Sequence, residues 1–109
     1  MYDRAGVSSA IQAYARALDQ GDLAQARRAF PAIPLEQRQG LEAFWKAGGT
    51  MRTRWTVTDI VVTGDTATAR VEGTNTVTPP RERSSEQRVS WRVRLERQGT
   101  EWRIISLAN

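Results

Sequence analysis

The hydrophobic pattern changes period near the middle of the chain. Through residue 47 apolar side chains recur every three to four positions, and from about residue 50 they alternate. Val7, Ile11, Tyr14, Ala15 and Leu18 fall at i, i+4, i+7, i+8 and i+11, one face of a helix predicted over 3–19. Asp3 is placed to cap its start, with Tyr2 and Val7 as a hydrophobic staple, and Gly21 suits the left-handed residue after its end. A short helix follows over 22–30: Asp22 caps it, Leu23, Ala26 and Phe30 form its inner stripe, and Pro31 stops it. The third spans 34–47. Pro34 fits its first turn, Leu41, Phe44 and Trp45 form an i, i+3, i+4 patch, and Gly48-Gly49 leads out.

The alternating half predicts strands over 51–63, 66–78, 86–97 and 101–108, rich in Val, Thr, Ile and Trp. Gly64-Asp65 and Gln98-Gly99 read as two-residue hairpin turns. Between the hairpins lies PPRERSSE, whose prolines cannot sit inside a ladder. No internal repeat or linker interrupts the chain, so residues 1–109 read as one α+β domain, N-terminal helices packed on a four-stranded antiparallel sheet.

Unbroken alternation from the first turn sets Val62 opposite Ala67, Ile60 opposite Ala69 and Thr58 opposite Val71, all facing the helices. Arg52, Arg54 and Asn75 share that inward parity. The other face receives Asp59 opposite Arg70, together with Trp55, Val57, Val61, Ile105 and Leu107. Such an apolar set requires either a bulge that flips part of a strand or a partner that covers it. In the second hairpin Val89, Trp91, Val93, Leu95, Trp102 and Ile104 point inward, and Arg92, Arg94, Glu96 and Arg103 point outward. A minimal loop would oppose Arg94 to Arg103; sliding by two residues opposes Glu96 to Arg103 instead and keeps the facing.

Composition narrows the chemistry. The chain contains neither Cys nor His, which removes thiol nucleophiles, disulfides, His general bases and zinc sites of the usual kind. No metal or cofactor is expected. The net charge is +4, and Lys46 is the sole lysine beside fifteen arginines, which reads first as a compositional preference. No apolar run approaches the roughly 18 residues of a membrane helix, and the N-terminus has no signal-peptide pattern. Met1 reads as a native start or as a boundary within a longer protein; a full-length chain would be cytoplasmic.

The opening AIQAYARALDQGDLAQARRAF, the hairpin IVVTGDTATARVEG and the closing SWRVRLERQGTEWRIISL together resemble the NTF2-like superfamily, the SnoaL-like or cystatin-like α+β cones. In its compactness the chain is similar to accessory domains at the ends of larger bacterial proteins, some serine/threonine kinases among them. The resemblance implies a curved sheet closed over helices as a cone. It implies a small isomerase or hydrolase as one function, and a binding or assembly domain as the other. This chain lacks a short strand between the second and third helices, where many family enzymes carry an acidic residue.

A ketosteroid-isomerase-like site needs a carboxylate aimed into an apolar pocket beside a tyrosine donor. Tyr14 occupies the inner face of the first helix, but the inward positions of the third strand hold no acid, and Asp59 and Glu72 fall outside. An Asp-Arg-Asp cluster like that of limonene epoxide hydrolase finds its nearest imitation in Arg54 and Asp59, which have opposite parity. No catalytic residue is therefore assigned. The expected pocket is instead lined by Tyr14, Trp45, Arg52, Arg54, Asn75 and Trp91, an apolar body with a cationic rim suited to an acidic small molecule. Trp55, Val57, Val61, Ile105 and Leu107 are expected to pair two copies of the chain through the sheet. Arg81, Arg83, Arg88, Arg92 and Arg94 form a basic stripe, but aromatics pointing inward cannot stack on bases, so nucleic acid is not expected as a partner.

Overall fold

The computed structural model describes residues 2–108, with the side chain of Tyr2 outside the description. Three helices, α1 (Tyr2–Gln20), α2 (Leu23–Ala29) and α3 (Leu35–Lys46), precede four strands, β1 (Thr50–Thr63), β2 (Thr66–Thr78), β3 (Ser85–Gln98) and β4 (Glu101–Ala108). The strands form one antiparallel sheet in the order β1-β2-β3-β4. Helix α1 lies across its inner face, and Val7, Ile11, Tyr14 and Leu18, the stripe read from the sequence, are all buried there.

Local chemistry explains most boundaries. Gly21 ends α1 in the left-handed region at φ 65°, and Asp22 caps α2 by accepting from Gln25 N at 3.1 Å. Pro34 stands at the N-cap of α3 rather than inside its first turn. Asp3 lies within the first turn of α1 and does not cap it; its carboxylate instead accepts from Arg97 Nη1 at 3.0 Å. The staple expected from Tyr2 rests on a side chain outside the described residues.

Both hairpins begin as alternation requires. Val62 pairs with Ala67 around Gly64-Asp65, and Glu96 pairs with Arg103. That second pairing is the shifted register, and it moves the turn from Gln98-Gly99 to Gly99-Thr100. Two irregularities then break the alternation. In β1 the pairing jumps between Thr58 and Val61, with Asp59 left-handed at φ 52°, so Thr58 faces Arg70 and Val57 faces Val71. In β4 one extra residue, Ile105, separates the Leu95–Ile104 pair from the Arg94–Ser106 pair.

These bulges reverse the facing of everything beyond them. Trp55 is buried, Val57 packs against the core, and Arg52 and Arg54 turn outward to solvent. Leu107 also turns inward, opposite Val93. The sheet face expected to pair two copies thereby loses Trp55, Val57 and Leu107 and keeps Val61 and Ile105. The expected Asp59–Arg70 ion pair does not form either; Arg70 binds Glu72 at 3.0 Å along its own strand.

Trp55 shapes the sheet around itself. Gly73 faces it, and a Cβ there would lie 1.8 Å from the Arg54 carbonyl oxygen, so this close approach admits only glycine. The Trp55 carbonyl accepts from Gln12 Nε2 at 3.2 Å. Thr53, two residues earlier, donates its N–H to Asp19 Oδ1 at 2.6 Å. The exposed edge of β1 is thus covered by α1, which blunts a potential site of strand addition.

Candidate functional site

The inner layer leaves a cavity of about 420 Å³ between α1, α3 and the sheet. Tyr14 and Leu18 come from α1, Leu41 from α3, Met51 and Asn75 from the first hairpin, and Trp91 and Leu107 from the second. The helical members arrive by simple periodicity. Leu18 lies one helical turn after Tyr14, and Leu41 leads the apolar patch of α3.

Tyr14, Phe30 and Trp91 line one side, joined into an aromatic chain through Trp55 behind them. Tyr14 meets Phe30 edge-on with centroids 5.7 Å apart and Trp55 at 5.9 Å, and Trp55 meets Trp91 edge-on at 5.1 Å. Tyr14 is only 1% exposed, and burial pushes its hydroxyl up to about 12, so the group stays protonated and able to donate at neutral pH.

Asn75 is the buried polar residue of the sheet. Its Oδ1 accepts from Trp55 Nε1 at 2.7 Å. An indole N–H can only donate, so this bond fixes which end of the amide is which. Asn75 lines the cavity, and its NH₂ end can only donate. Gln37 and Ser106 add neutral polar groups, and among the described residues no charged side chain lines the space.

Of the six expected lining residues, the structure brings Tyr14, Asn75 and Trp91 together. Trp45 packs instead on the α1–α2 turn, with its ring 3.4 Å from where a Cβ of Gly21 would stand, and its buried Nε1 has no partner. Arg52 and Arg54 lie on the opposite side of the sheet, because the β1 bulge turned them there. The ground for an acidic ligand leaves with them. Sequence reasoning missed Leu18, Phe30, Leu41, Met51 and Leu107 as lining residues. The first three sit on the same inner stripes that were read as core. Met51 and Leu107 were hidden by the two bulges.

Among the described residues no three or more His, Cys, Asp or Glu gather as a metal would need, and no helix is long and apolar enough to cross a membrane.

No family model matches the chain, and no curated protein does. Solved structures do. A conserved protein from Planctomyces limnophilus matches over 99% of this chain and 94% of its own, with 16% identity and a TM-score of 0.87. An NTF2-like family protein from Streptomyces avermitilis matches over 98% and 94%, with 17% identity and a TM-score of 0.81. An NTF2-like protein with a cystatin-like fold from Novosphingobium aromaticivorans matches over 99% and 80%, with 21% identity and a TM-score of 0.71. The chain has the NTF2-like fold, and at these identities the likeness extends to the fold alone.

Proposed function

We propose that this NTF2-like fold serves as a non-catalytic binding domain whose cavity receives a neutral, largely apolar small molecule carrying a hydrogen-bond acceptor such as a carbonyl. One observation carries the reading: Tyr14 and Asn75 bring hydrogen-bond donors to a cavity that no charged side chain lines among the described residues. An anionic ligand would leave water without a counter-charge, at a cost of several kcal/mol. A neutral carbonyl would satisfy both donors while its hydrocarbon body covers Leu18, Leu41 and Trp91. The cavity volume lies within the ordinary range for small-molecule sites.

The isomerase or hydrolase reading keeps Tyr14 as a donor but lacks a base. Asp19 is held by the Thr53 backbone and hydroxyl, and Asp59 lies on the far face of the sheet. Proton abstraction needs a carboxylate within reach of the substrate, and among the described residues none lines the cavity. Homodimerisation through the sheet has lost most of its support. Val61 and Ile105 are the apolar anchors left there, among arginines that would repel those of a second copy.

Titration with 2-decalone and with decalin-2-carboxylic acid, followed by tryptophan fluorescence, tests the reading. The ketone is expected to change the Trp55 and Trp91 emission saturably, and the acid is expected not to. Tyr14→Phe removes one neutral hydrogen bond and should weaken ketone binding by about 1 kcal/mol, or roughly fivefold. Equal or tighter binding of the acid would overturn the proposal.

A further inference from the structure

The bulge that empties the cavity of cations loads them onto the other side of the sheet. Arg52, Arg54, Arg70, Arg88, Arg92 and Arg94 all project from the outer face. Arg70 stands directly opposite Arg92, and Arg54 and Arg88 flank Thr74 in one row across three strands. Like charges placed directly opposite repel. Glu72 compensates Arg70 alone; among the described residues Arg54, Arg88, Arg92 and Arg94 make no ion pair.

The remaining acids of this face are Asp59 at the bulge and Glu86 and Glu96 at the ends of β3. The middle of the sheet is therefore the most positive part. A shallow groove of about 450 Å³ runs there between Asp59, Thr68, Arg70, Ser90 and Arg92. Thr56, Thr58 and Thr74 continue the carpet of hydroxyls around it.

We propose that this outer face binds the phosphodiester backbone of a nucleic-acid duplex. Three features select that occupant. Guanidinium and hydroxyl groups together are the donors that phosphate oxygens take. Among the described residues no aromatic side chain projects from the face, because Trp55 and Trp91 turn inward, so it offers no platform for the unstacked bases of a single strand. Among the described residues it also lacks the aromatic anchors of a protein interface, with Val61 and Ile105 as apolar residues at its margins. Neighbouring arginines along β3 stand about 7 Å apart and neighbouring strands about 5 Å apart, so four guanidinium groups can meet one backbone at once. The contact is independent of sequence. Inward aromatics, which argue against single-strand binding, leave it untouched.

The test is fluorescence anisotropy of a mixed-sequence DNA duplex of about 20 base pairs, titrated with the whole chain at several salt concentrations. Four phosphate contacts predict a log–log slope near −3.6 and a loss of affinity of roughly 100-fold between 50 and 200 mM salt. Arg88→Ala and Arg92→Ala should each reduce the slope by about 0.9. Arg27→Ala, an exposed change on α2, should leave it as it is. Three results would overturn the proposal: no saturation at about 100 μM protein in 50 mM salt, slopes indifferent to Arg88 and Arg92, or polyglutamate competing as well as duplex at equal charge.

Discussion

Tyr14, Trp55 and Asn75 form a small polar arrangement inside an apolar layer, and each constrains the next. Trp55 donates to Asn75, Gly73 makes room for the approach of β1, and Tyr14 packs against Trp55 and lines the cavity. Burying that hydroxyl has a measurable signature. The unfolded chain loses this proton near pH 10, whereas the folded chain holds it to about 12. Between those values the folded state binds more protons, so stability is fully present below pH 10 and falls as pH rises toward 12. The contribution amounts to about 2–3 kcal/mol. Urea unfolding of the parent and of Tyr14→Phe at pH 9 and pH 11.5 should show a steeper loss in the parent. Parallel losses would mean that the hydroxyl is already reached by water.

At the scale of elements, the bulge in β1 decides the character of both faces, and it turns on a single backbone conformation. Asp59 at φ 52° is tolerated because a short polar side chain enters the left-handed region more easily than others do. Asp59→Gly should stabilise the chain by about 0.5–1 kcal/mol in chemical denaturation, and Asp59→Val should destabilise it by about 1–2 kcal/mol. The same sign for both would argue against the left-handed bulge. This element also marks where the sequence stopped being legible. The alternation of β3 is unbroken, so Val89, Val93 and Leu95 read inward and Arg92 and Arg94 outward, as they stand. In β1 and β4 one inserted residue costs no composition signal: neither Asp59-Ile60 nor Ile105 carries a glycine or proline to mark the spot. The available clue was indirect. Straight alternation placed a tryptophan and a valine outside and two arginines inside, an arrangement that burial energies disfavour.

At the scale of the molecule, the sheet separates two chemistries that the linear sequence interleaves. Its inner face joins α1 around a neutral cavity with two donors, and its outer face carries unpaired arginines among hydroxyls. Both functional readings rest on that sorting, so its direct test is the most informative measurement. The chain has no cysteine, which makes single-cysteine labelling clean. Arg54→Cys and Val57→Cys differ in parity and exchange faces between the bulged strand and a straight one. Reaction of each folded variant with a thiol reagent, compared with its rate in denaturant, reads the facing. The bulged strand predicts that Cys at 54 reacts at nearly its unfolded rate and that Cys at 57 reacts at least roughly tenfold more slowly. Protection at 54 with free reaction at 57 would restore the straight strand, return the arginines to the cavity and contradict both the neutral ligand and the basic outer face.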